Sequence, residues 1–155
     1  METVPDILLA DDDLDDCMFF REALEALPFS TSKKFVNDGE ELMQLLTKNT
    51  EKLPQVLFLD LNMPRKSGLE CLTEIKNDDR LEMIPVVIIS TSYDRSVADA
   101  LYRSGASYYI QKPIGFSQLQ ELISLAIGLI IGKKNIRPYK ENFLLRAGHP
   151  KDIEK

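Results

Sequence analysis

The sequence predicts a doubly wound α/β domain, a three-layer sandwich with five parallel strands in the order 2-1-3-4-5 and helices on both faces. Three observations lead there. Short apolar runs without polar alternation, at residues 7–10, 56–59 and 86–89, have strand length and the character of strands buried on both sides. Stretches of helical period separate them, so each strand returns through a crossover and pairs in parallel. Each run also ends in polar chemistry: Asp11-Asp12-Asp13, Asp60 and Ser90. In a five-stranded sheet of this order the switch point lies between strands one and three, which puts Asp11, Asp12 and Asp60 at one edge.

Residues 6–10 form the first strand, and Cys17, Phe20, Ala23, Leu24 and Leu27 mark the inner face of the helix that follows, closed near Pro28. Residues 33–36 make a weak amphipathic strand. Asp38-Gly39 turns the chain into a helix with Leu42, Leu45 and Leu46 inside, and a polar loop over 47–52 leads to the central strand. After Asp60, Ser67 and Glu70 have capping-box spacing, with Leu69, Leu72 and Ile75 as the apolar stripe of the third helix. Pro85 opens a fourth strand of β-branched residues ending at Ser90. A helix over 94–104 closes at Gly105, a strand over 107–111 runs into Lys112-Pro113, and the last helix spans 116–131. The division expected is a domain over 1–131 and an extension over 132–155.

Composition narrows the function. The 155 residues are enough for one domain with a core, and 25 Asp+Glu against 19 Lys+Arg give a net charge of −6, which argues against a nucleic-acid surface. Cys17 and Cys71 have neither metal-ligand spacing nor a disulfide pattern and read as reduced thiols. The single His149 lies in the tail and founds no triad. Acidic Glu2 and Asp6 stand where a secretory leader would be basic, and the apolar run over 122–131 is about half of a membrane span. A cytoplasmic protein with no membrane partner is expected.

Three carboxylates crowded in a cleft repel one another, and a hard divalent cation relieves them; few protein oxygens plus retained waters suit Mg²⁺. Asp60 is then a strand-end carboxylate nucleophile toward a phosphoryl group. Ser90 offers a hydroxyl to one phosphoryl oxygen, and Lys112 a compact cation to another.

In this order and spacing, the acidic cluster after the first strand, Leu-Asp-Leu-Asn-Met-Pro around Asp60, Gly68, Ser90 and Lys112-Pro113 resemble a response-regulator receiver domain, of CheY-like, flavodoxin-like fold. The likeness covers residues 6–128. Val-Asn-Asp-Gly-Glu-Glu and Asp-Leu-Asn-Met-Pro are closest in wording to small stand-alone receivers of the phytochrome-associated type. The resemblance implies a single-domain response regulator of a two-component phosphorelay that takes a phosphoryl group from a histidine kinase or phosphotransfer protein onto Asp60. It implies Mg²⁺ held directly by Asp12, Asp60 and the Asn62 carbonyl, with Asp11 acting through water. Lys112 would bridge the phosphoryl group, with a cis Lys112-Pro113 bond, and Ser90 and Tyr109 would form the switch pair. Tyr108 would take the place of Tyr109 if the register slipped by one. Output would pass through protein contacts of the fourth helix, fifth strand and fifth helix to a target the sequence does not name. Enzymatic turnover is not expected beyond slow self-phosphorylation and autodephosphorylation, with Asn62 and Ser92 flanking the path of the hydrolytic water.

Two other classes compete. A haloacid-dehalogenase-like phosphohydrolase also uses a strand-end Asp with Mg²⁺, but wants a second Asp where this chain has Asn62. A pseudo-receiver would keep the fold and never take phosphate. The C-terminus departs from the family pattern: the apolar residues of the last helix, from Leu119 to Ile131, are too many for one core-facing stripe. The extension, with Ile136, Tyr139, Phe143, Leu144 and Leu145, reads either as a disordered tail or as an ordered segment packing in a homodimer.

Overall fold

The computed structural model describes residues 4–48, 52–133 and 137–146. Glu2, Ile136 and His149, named above, lie outside the described residues. The elements are β1 (Asp6–Ala10), α1 (Leu14–Glu25), β2 (Ser32–Val36), α2 (Gly39–Lys48), β3 (Val56–Asp60), α3 (Gly68–Lys76), β4 (Val86–Ser90), α4 (Arg95–Arg103), β5 (Tyr108–Gln111), α5 (Phe116–Lys133), a short 3-10 turn (Lys140–Asn142) and β6 (Leu144–Leu145). The sheet is parallel throughout, in the order β2-β1-β3-β4-β5-β6. The expected order is present, with one strand more. That sixth strand, beside β5, comes from the C-terminal extension.

The strands alternate between two cores, as the pleat requires. Ile7, Leu9, Phe58, Val87, Ile89 and Ile110 face α1 and α5, whereas Leu8, Leu57, Leu59, Val86, Ile88 and Tyr109 face α2, α3 and α4. Both faces of β3 and β4 are covered, which is why their sequences carry no polar alternation. Local chemistry fixes the helix starts. The Asp13 carboxylate accepts the Asp16 N–H, the Asp94 carboxylate accepts two amides, and Ser67 and Glu70 form a complete capping box. Gly105, at φ 107°, ends α4 in the left-handed region that favours glycine.

The breadth of the apolar pattern on α5 has an explanation inside the chain. Leu122, Ile123, Ala126, Ile127 and Ile130 are buried, and Leu119, Leu125 and Leu129 pack partly against the same core. Leu145 of β6 joins that core from the sheet edge. A helix wedged among the sheet, α1 and β6 buries more than one stripe. The described part of the extension, 137–146, is ordered and packs on its own chain, an arrangement that neither reading of the tail contained. No helix among the described residues is long and apolar enough to cross a membrane.

Candidate functional site

The C-terminal ends of β1, β3, β4 and β5 carry the predicted polar residues to one edge. Asp11 follows β1, Asp60 and Ser90 are the last residues of β3 and β4, and Lys112 comes directly after β5. Backbone hydrogen bonds hold these ends in register: Leu61 N–H donates to the Ile89 carbonyl at 3.1 Å, and Lys112 N–H to that of Ser90 at 2.7 Å. Behind the site the backbones of α3 and β3 come very close. A Cβ on Gly68 would lie 2.5 Å from the Asp60 carbonyl oxygen, so only glycine fits there without displacing backbone.

Asp11, Asp12 and Asp60 each present one carboxylate oxygen within 4.8 Å of the others. Asp11 and Asp60 are buried and Asp12 is exposed. The Lys112 ammonium reaches in from β5, 2.9 Å from Asp11 Oδ2, 2.7 Å from Asp16 Oδ2 and 3.8 Å from Asp60 Oδ1. Asp16 is a member of this network that sequence reasoning passed over. It lies in the first turn of α1, where an acidic residue is ordinary, so the sequence carried no signal that set it apart.

The electrostatics follow from burial. Asp60 is pushed up to about 7, first by loss of solvent and next by the Asp11 charge, against the opposing pull of Lys112 and of the Asn62 N–H. Burial also raises Asp11, although the Asp13 N–H and Lys112 oppose it. Burial would lower Lys112, but hydrogen bonds from its ammonium to Asp16 and Asp11 outweigh that, and its affinity for the proton rises. The two shifts in this pair therefore have different origins. Cys17, whose Sγ contacts the Asp11 carbonyl at 3.4 Å, and Cys71 are both pushed up to about 11 by burial and stay protonated.

The carboxylate cluster fits a hard divalent cation: the oxygens are crowded, two of the three groups resist ionisation, and one side remains open at Asp12. Asn62 is exposed, with its backbone N–H directed at Asp60. The Ser90 hydroxyl is buried and turned toward Ser92, accepting that residue's N–H at 3.3 Å and lying 3.5 Å from its Oγ. Tyr109 is buried on the face beside α4, and its hydroxyl donates to the Ser92 carbonyl at 2.6 Å; Tyr108 faces the other core. One expectation is corrected. No peptide bond among the described residues is cis, so the Lys112-Pro113 bond is trans, the isomer that an X–Pro amide itself prefers by roughly 0.5–1 kcal/mol. From this backbone the Lys112 side chain still reaches the carboxylates.

Residues 7–124 match the family model described as the response regulator receiver domain. The chain belongs to the receiver domain family. Receivers are the phosphoacceptor modules of two-component signalling, and they bind a divalent metal. This receiver is 31% identical over 121 residues to the response regulator Rcp1 of Synechocystis sp., a match spanning 76% of this chain and 82% of that protein. It is also 31% identical over 120 residues to the probable methanogenesis regulatory protein FilR2 of Methanothrix harundinacea, spanning 76% and 77%. Among solved structures, the phosphorylated cyanobacterial phytochrome response regulator RcpA superposes with a TM-score of 0.77 at 31% identity, covering 84% of this chain and 96% of that one. The Mn²⁺-bound form of Rcp1 gives 0.73 at 28% identity, covering 86% and 99%.

Proposed function

We propose that this receiver takes a phosphoryl group onto a carboxylate oxygen of Asp60 from the phosphohistidine of a sensor kinase or phosphotransfer protein, in a Mg²⁺-dependent step. The observation that carries the proposal is the convergence of three carboxylates from β1 and β3 with the Lys112 ammonium, 3.8 Å from the acceptor carboxylate. Asp60 attacks phosphorus, the P–N bond of the donor breaks, and the leaving nitrogen keeps the electron pair and takes up a proton. The product is an acyl phosphate. Asp11, Asp12, Asp60 and the Asn62 backbone carbonyl are the groups that would hold Mg²⁺, with Asp11 reaching it through water. Bound there, the cation supplies charge neutralisation for the carboxylates and the phosphoryl oxygens.

Ionised Asp60 is the nucleophile, and Lys112 stays charged through the physiological range and can move from Asp16 to a phosphoryl oxygen. Ser90 supplies a hydroxyl donor once it turns from Ser92, and Ser90 with Tyr109 forms the pair that reports the phosphoryl group to the α4-β5-α5 surface. A protein donor suits the mouth of the site. Phe19 of α1 and Ile114 and Phe116, just past Lys112, are exposed and line an apolar slot of about 100 Å³. The setting expected is the cytoplasm. Exposed Val97 and Tyr139 leave room on the output side for a target or a second copy in a homodimer.

The test is incubation with phosphoramidate and Mg²⁺, followed by intact mass. A single-phosphoryl adduct absent from Asp60→Ala is expected. Phosphate release without an adduct would instead indicate a phosphohydrolase, and no reaction would overturn the proposal.

A further inference from the structure

The extension is joined to the phosphoacceptor edge by an unbroken run of contacts. Leu144 and Leu145 of β6 pair with Tyr109 and Ile110 of β5, and the Tyr109 N–H donates to the Phe143 carbonyl at 2.9 Å. Phe143 is buried, with its ring 5.3 Å from that of Tyr102 and 6.2 Å from that of Tyr109, edge to face in both cases. Polar contacts pin the segment further. The Arg137 guanidinium donates to the carbonyls of Tyr102 and Ala106 and stacks on the Tyr102 ring, the Tyr102 hydroxyl donates to the Pro138 carbonyl, and Lys140 pairs with Asp99 at 3.3 Å. On its other side Tyr109 holds the Ser92 carbonyl, and the Ser92 N–H donates to the Ser90 hydroxyl.

We propose that residues 137–146 are a latch on the β5 edge whose docking and the phosphoryl group on Asp60 reinforce each other through Phe143, Tyr109, Ser92 and Ser90. The inference rests on Asp60 being the phosphoacceptor. A phosphoryl group recruits the Ser90 hydroxyl away from Ser92 and draws the loop after β4 toward Asp60. The Tyr109 ring is already buried with its hydroxyl bonded to that loop, so the shift holds it inward more firmly. Phe143 occupies the space beside Tyr109 at the sheet edge, so the docked latch favours the same inward ring. An undocked latch opens that space and frees the Tyr109 amide. Two events that favour one rotamer are coupled by linkage, and the coupling is reciprocal.

The test uses the full chain with Mg²⁺ and beryllofluoride, a phosphoryl mimic. Saturation should slow hydrogen exchange of the Tyr109 amide, which bonds Phe143, by about threefold or more. Reciprocally, Phe143→Ala and the milder Arg137→Ala should weaken beryllofluoride binding, by about fivefold and twofold. Unchanged or faster Tyr109 exchange in a chain that binds beryllofluoride overturns the latch and leaves the Asp60 reading standing. So does undiminished affinity in a folded variant whose Tyr109 amide exchanges freely. A wild-type chain that binds no beryllofluoride overturns both.

Discussion

Replacing Asp60 by Asn should stabilise the metal-free protein, and the gain should depend on pH. Asp60 is buried, and burial holds its carboxyl at about 7 against an ordinary 3.8. At about 1.36 kcal/mol per unit, ionising it in the fold costs roughly 4 kcal/mol at most. The folded state holds the proton more tightly than the unfolded chain, so the wild type loses stability as pH rises from about 4 to 7 and carries the full cost above that window. Asn removes the charge but leaves an amide beside Asp11, so the net gain at pH 8 in EDTA should be about 1–3 kcal/mol, or roughly 3–10 °C in Tm. By pH 5 the gain should fall to less than half. Added Mg²⁺ should raise the wild-type Tm more than that of the variant. Urea melts at pH 5 and pH 8 decide the matter: a variant no more stable than wild type at pH 8, or equally stabilised at both pH values, would refute the electrostatic account.

Other outcomes follow from the same geometry. Lys112→Met strands Asp11 and Asp16 without their cation and should destabilise by about 3 kcal/mol at pH 8 in urea melts, with phosphorylation by phosphoramidate slowed at least tenfold. Gly68→Val forces a side chain against the Asp60 carbonyl and should cost about 2 kcal/mol or more while reducing the rate of adduct formation. Charged residues in place of Asn62 and Ser92 should change the half-life of the acyl phosphate, read by phosphate release; an unchanged half-life would remove both from the hydrolytic path. Because the described extension packs on its own chain, light scattering should give full-length protein and protein truncated after Gly132 the same subunit count; a halved count on truncation would show a dimer built on the extension.

The parts of the molecule legible in the sequence are those in which one residue type serves both fold and site. The runs before Asp11, Asp60 and Ser90 had to be buried strands because they lack alternation, and a parallel sheet then brings their ends together. Ser67 and Glu70 announced their capping box for the same local reason. Asp16 was less visible, since an acid in the first turn of a helix is ordinary, and only the position of Lys112 shows that it pairs across 96 residues. The sixth strand was illegible in a stronger sense. Two residues of strand carry no period, and what seats them is long-range: Phe143 beneath Tyr102 and Tyr109, Arg137 on the Tyr102 ring, and Leu145 against the α5 core. Leu145, with α1 and the sheet, explains why α5 looked too apolar for a single stripe. The isomer of the Lys112-Pro113 bond, likewise, has no local sequence signature.

Chemical mapping of the phosphoryl group tests the central claim most directly. The protein is loaded with phosphoramidate and Mg²⁺, the acyl phosphate is reduced with borohydride to homoserine, and the position is read by peptide sequencing. Homoserine at position 60, and none when Mg²⁺ is withheld, is the predicted result. Homoserine at position 11 or 12, or none in a folded, Mg²⁺-loaded chain, would contradict the account.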